Sequence, residues 1–108
     1  MKRTDELAIS TAVKCVVAIR DSVDDWPCCI WCGRPAPDTL AFSNAHFISR
    51  AQGGLGVPEN VLTLCPDCHR IYDQTPARKG MVPVFRKYLR ERYPEWDENK
   101  LTFEKYGG

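Results

Sequence analysis

Cys29-Ile30-Trp31-Cys32 and Cys65-Pro66-Asp67-Cys68 are two C-x-x-C knuckles, and His69 follows the second directly. Each such turn presents two sulfurs to one ion, and four thiolates in this arrangement satisfy tetrahedral zinc. A structural zinc is therefore expected on Cys29, Cys32, Cys65 and Cys68, with Gly33 giving the first turn room. Cys28 stands four residues before Cys32 and competes with Cys29. The x-x spacing is the commoner knuckle, which favours Cys29. The interval between the knuckles is long, but closing a long loop costs only logarithmically more than closing a short one.

At 108 residues the chain supports a single domain. A core of that size is marginal without a staple, and a structural metal is a usual one. Six cysteines would suit disulfides in a secreted protein. The opening Met1-Lys2-Arg3-Thr4-Asp5-Glu6, however, has no apolar signal core, and no apolar run is long enough to span a bilayer. An intracellular address without a membrane is expected, which favours metal thiolates over disulfides. Net charge is only +1, so bulk charge marks no nucleic-acid partner. Its distribution says more: Arg78, Lys79, Arg86, Lys87, Arg90 and Arg92 stand against Glu91 alone. Such a stretch can neutralise phosphates, or it can be a solvated helix face.

The domain, 1–108, divides into an N-terminal helix (5–22), a metal-bearing core (28–75) and a C-terminal helical segment (78–106). Thr4-Asp5-Glu6 reads as a helix start, with a hydroxyl cap and acids in the first turn. Ile9, Val13, Val16 and Val17 recur near helical spacing, widened by Leu7, Ala8, Ala12, Cys15 and Ile19, with Cys15 a small core residue. Leu40 to Ile48 is strand-like, Gly53-Gly54-Leu55-Gly56 is a loop, and Val61 to Leu64 fits a second strand. Pro66 sits where a helix's first turn tolerates it, opening a helix that carries Cys68, His69, Ile71, Tyr72 and Asp73. The fold class is α+β: strand, loop, strand and helix, with flanking helices. Val82, Phe85, Leu89 and Tyr93 form the stripe of the last helix, which breaks at Pro94. Trp96, Leu101, Phe103 and Tyr106 are then free to pack on the core.

The histidines carry chemistry. A neutral imidazole titrates near physiological pH, so His46 can accept a proton at pH 7. His69 and Asp73, at i and i+4, share a helix face and can share one ion. Each has a plainer reading. His46 can be a buried strand histidine, His69 a spare zinc ligand, Asn60 a turn residue and Asp73 ordinary surface.

Cys29-Ile30-Trp31-Cys32-Gly33, His46-Phe47-Ile48-Ser49-Arg50, Gly53-Gly54, Asn60-Val61-Leu62-Thr63-Leu64-Cys65 and Cys68-His69 together resemble the HNH endonuclease family. These are the ββα-metal nucleases, especially the small versions whose zinc is held by four cysteines. The resemblance implies that His46 is the general base activating water against a phosphodiester. It implies that Asn60 ties the loop between the strands so that His46 is correctly turned. His69 would be a ligand to a catalytic Mg²⁺ or another divalent cation, and Asp73 a further ligand. Arg50, Arg70, Arg78 and Lys79 would hold the DNA backbone. DNA is the implied substrate; a phage or prophage origin, with other phage proteins as partners in a bacterial cytoplasm, is a further implication. One departure stands out. Many members place an aspartate or histidine immediately before the base histidine as a metal ligand, and this chain has Ala45. The competing function is accordingly a catalytically weak or inactive zinc module that binds DNA or a partner protein.

Overall fold

Ser10 sets the start of the first helix whose full length is described. Its hydroxyl accepts from the Val13 N–H, and α1 runs Thr11–Arg20. The structure, a computed structural model, describes residues 6–103. Glu6 and Leu7 are also helical, but the helical path breaks over 8–10 before α1, so the helix expected over 5–22 is interrupted there. Thr4 and Asp5 lie outside the described residues, and Ser10 supplies the cap. The broad apolar face is not buried either. Only Val17 and Ala18 of α1 are covered, while Val16 and Ile19 are 50% and 77% exposed and Cys15 is exposed rather than in the core. The helix meets its neighbours along a narrow line, so one turn of side chains suffices to seal the contact.

A tight turn follows, with Asp24 and Asp25 at φ 52° and 66°, a left-handed conformation that aspartate tolerates better than most residues. It joins β1 (Ser22–Val23) to β2 (Trp26–Pro27), which pair antiparallel. The second hairpin is β3 (Ser43–His46) with β4 (Val61–Leu64), in the register Ser43↔Leu64, Asn44↔Thr63, Ala45↔Leu62 and His46↔Val61. The strand expected from Leu40 to Ile48 is thus shorter, because β4 offers only four partners. Between them run two 3₁₀ turns, Arg50–Gln52 and Pro58–Asn60.

Pro66 takes the first turn of α2 (Pro66–Gln74), as its fixed φ favours. A longer helix, α3 (Arg78–Arg92), and a 3₁₀ turn at Glu98–Lys100 complete the chain. No described helix is long and apolar enough to cross a membrane.

Every residue of β4 is buried. Leu62 and Leu64 share a core with Tyr72 of α2 and with Met81, Phe85 and Leu89 of α3. The buried stripe of α3 is thus led by Met81, with Val82 half-buried beside it. Phe85 is the hub, edge-on to Tyr72 at 5.1 Å and to Trp31 at 5.7 Å. Trp96 packs edge-on to Phe47 at 5.8 Å and donates to the Glu59 carbonyl at 2.8 Å. Leu101 is buried, while Tyr106 lies outside the described residues.

One polar network fastens the flanking helices to the hairpin. Asp21 is 3% exposed, pairs with Arg20 at 2.7 Å, and accepts from the Thr63 N–H and the Tyr88 hydroxyl. Arg20 also donates to the Pro58 and Val61 carbonyls, at 2.7 and 2.6 Å. Burial works against this guanidinium's charge, but Asp21 and Tyr93 outweigh it and raise its pKa. Removing one member of a buried pair strands the other. Asp21→Ala should therefore lose roughly 3–5 kcal/mol of stability in urea unfolding, whereas the exposed Ile19→Ser should stay within about 0.5 kcal/mol of the parent.

Candidate metal centre and cleft

The sulfurs of Cys29, Cys32, Cys65 and Cys68 all lie within 4.8 Å of one another. A tetrahedral zinc with Zn–S bonds of about 2.3 Å requires sulfurs about 3.8 Å apart, and Cys32 Sγ stands 3.8 Å from Cys65 Sγ. The donors therefore fit the ion. Local geometry builds each half. Gly33, at φ +81°, closes the first turn by donating its N–H to the Cys29 carbonyl at 2.9 Å, a conformation glycine adopts without strain. Cys65 caps α2, its sulfur accepting from the Cys68 N–H at 3.5 Å. Burial alone would push the Cys65 thiol up, but hydrogen bonds from Cys68, Cys32 and Cys29 bring it down to about 7. Burial and the neighbouring Cys65 push Cys68 up. Cys28 stays outside the cluster; it is buried and its thiol donates to the Trp26 carbonyl at 3.4 Å.

A separate cleft of about 440 Å³ opens beside the second hairpin. His46 and Asn44 line it from β3, His69 and Asp73 from α2, and Arg50 and Arg78 from the flanking segments. The alternation of β3 explains the first pair: Asn44 and His46 face the cleft while Ala45, fully buried opposite Leu62, faces the core. His69 and Asp73 meet as the i,i+4 spacing predicts, Nε2 to carboxylate at 2.9 Å. The other ring nitrogen, Nδ1, lies 2.7 Å from the Ser43 hydroxyl. A carboxylate only accepts, so Nε2 carries a proton toward Asp73. Arg78 reaches across to the Phe47 and Tyr72 carbonyls at 2.8 and 3.2 Å and lies 4.0 Å over the Tyr72 ring. It also stands 3.7 Å from Asp73.

Asn60 does not touch the cleft. It is fully buried; its carbonyl accepts from the Ile48 N–H at 2.8 Å, and its amide donates to the Ile48 and Leu55 carbonyls at 3.1 and 2.9 Å. Arg70 and Lys79 do not line the cleft; Arg70 is an exposed partner of Asp67 at 3.8 Å. Among the described residues, the four cysteines are the only grouping of three or more His, Cys, Asp or Glu donors. A cation in the cleft would have His69 and Asp73 as side-chain donors. That number suits an ion that keeps several waters or takes ligands from a phosphate.

Two contributors went unseen in the sequence. Ser43 could have been found from its register opposite Leu64, next to a zinc ligand. Leu7 could not, because it acts through its backbone carbonyl, 2.7 Å from His46 Nε2. Burial holds His46 below its ordinary value of 6.5, outweighing the opposing effect of that carbonyl.

An α+β unit with a four-sulfur knot and a hairpin-plus-helix cleft is the framework of a small zinc-stabilised ββα module. Residues 29–74 match the family model described as HNH endonuclease, which supports a nuclease-family function in general. The match ends with α2 and leaves α1 and α3 outside it. No curated protein matches the chain.

The sulfur geometry gives a sharp expectation. Elemental analysis should find one tightly held zinc per chain, and chelation should unfold the protein, since structural zinc contributes on the order of 10 kcal/mol to small domains. Cys29→Ser should lose both metal and cooperative unfolding, while Cys28→Ser should keep both.

Proposed function

We propose that this protein is a metal-dependent DNA endonuclease of the HNH type. The observation that carries the reading is the convergence of His46, His69, Asp73, Arg50 and Arg78 on one cleft. In this reading His46 is the general base. Its partial burial keeps the imidazole neutral at pH 7, ready to take a proton from attacking water. Asn60 positions it by locking the Ile48 backbone two residues beyond. Arg50 and Arg78 bind the phosphodiester. Arg78 is held in place by two carbonyls and an aromatic face before substrate arrives, so little reorganisation is needed. A divalent ion on His69 and Asp73 would polarise the scissile phosphate and stabilise the leaving oxygen. Arg70 and Lys79 contact flanking phosphates outside the cleft.

A second reading, a zinc module that binds DNA with little or no turnover, is favoured by Ala45 and by Asp73. Among the described residues the one carboxylate lining the cleft is already engaged by His69 and stands near Arg78.

Plasmid DNA incubated with the zinc-loaded protein and Mg²⁺ or Mn²⁺ separates the two. Nicking or cleavage that chelator abolishes is expected, and His46→Ala should lower it about 10²–10⁴-fold while zinc content and folding stay intact. Salt-dependent binding with no cleavage under any metal would leave the second reading standing.

The pH profile is a further check. A base works when neutral, and His46 loses its proton at lower pH than free imidazole does. The acid limb of the kcat/KM–pH curve, which reports the free protein, should therefore fall below 6.5, with activity already on its plateau at pH 7.

A further inference from the structure

The segment from Glu6 to Ile9 lies outside the matched module, yet it is seated at the cleft. The Gly56 N–H donates to the Glu6 carbonyl at 3.0 Å, Leu7 is 5% exposed, and Ile9 lines the cleft. A Cβ on Gly56 would overlap the Ala8 carbonyl, so only glycine lets the segment approach this closely. The seat itself is fixed by the Asn60 amide, which holds the Leu55 carbonyl next door. From that position the Leu7 carbonyl meets His46 Nε2 at 2.7 Å.

We infer that residues 6–9 are a positioning strap, which uses the Leu7 carbonyl to hold His46 as its Nε2–H tautomer and leave Nδ1 as the basic nitrogen. A carbonyl oxygen can only accept, so the contact requires the proton on Nε2. The same bond fixes the ring's rotation, which a strand alone leaves open to two flips. This deepens the endonuclease reading and rests on it for its catalytic consequence. The geometric part stands on the strap's own contacts. The working site then extends beyond the HNH domain, and Leu7 is a positioning residue acting through its main chain.

The test uses the full-length zinc-loaded protein and ring-nitrogen NMR, simple in a chain with 2 histidines. His46 should show a protonated Nε2 whose hydrogen exchanges slowly with water, unlike that of a solvent-facing imidazole. Gly56→Ala, which unseats the strap, should make that hydrogen exchange rapidly. It should also lower kcat for cleavage about tenfold or more, as a misaligned base does, with DNA affinity unchanged. Leu7→Ala, which removes the buried anchor but not the seat, serves where Gly56→Ala fails to fold. A wild-type His46 protonated on Nδ1, or slow exchange persisting in a folded Gly56→Ala protein, would overturn the strap. The NMR readout needs no turnover, so a protein that never cuts DNA would sink the nuclease reading and still decide this one.

Discussion

Convergence of four sulfurs on one point is the constraint from which the other geometry follows. Cys32 and Cys65 are 33 residues apart, and the chain between them contains the whole second hairpin, β3 and β4. Fixing Cys65 fixes two elements together, because it is at once the residue after β4 and the cap of α2. The His69 N–H donates to the Cys65 carbonyl at 2.8 Å, so the cleft histidine stands one helical turn from a metal ligand. The first knuckle is fastened to the same strand, Ile30 N–H to the Thr63 carbonyl at 3.1 Å. A hairpin this short would not hold itself in water. Thiolates bound to an ion replace the apolar area that so small a chain cannot bury.

A second set of ties works from the opposite side of β4. Arg20 grips the carbonyls of Pro58 and Val61, and these bracket Asn60. Asn60 in turn grips Ile48 and Leu55, and its own carbonyl accepts from the Phe47 N–H at 2.7 Å. His46 therefore hangs between a strand partner held from behind by α1 and a loop held from within by an amide. Each buried polar group in this chain of contacts has partners, the condition under which such groups rigidify a small core.

Features governed by neighbours in sequence were legible. The knuckles, the Pro66 start of α2, the four residues of β4 and the pairing of His69 with Asp73 all follow from spacing alone. Features governed by distant partners were not. The length of β3 is set by β4, and the exposure of Val16, Ile19 and Cys15 by how narrowly α1 touches the hairpin. Arg20-Asp21 reads as an ordinary surface pair until the fold buries it against Tyr88 and Thr63. Basic residues of α3 show the same divide. Arg78 is drawn into the cleft by Tyr72, whereas Arg86 is taken by Glu98 at 2.7 Å. Composition could not separate them, because both are arginines on one helix.

The register of β3 also recasts what Ala45 means. Alternation places Asn44 and His46 on the cleft and position 45 on the core, where Ala45 has no exposed surface. A carboxylate at that position would be desolvated among Leu62 and its neighbours unless the strand shifted, and a shift by one residue would carry His46 off the cleft. The shortage of ligands thus belongs to the backbone path as much as to a single side chain. Among the described residues Asp73 is the sole carboxylate lining the cleft, with Arg50 and Arg78 beside it, so in the proposed reading fixed positive charge would give an anion the electrostatic support that a fuller ligand set would otherwise recruit through a cation.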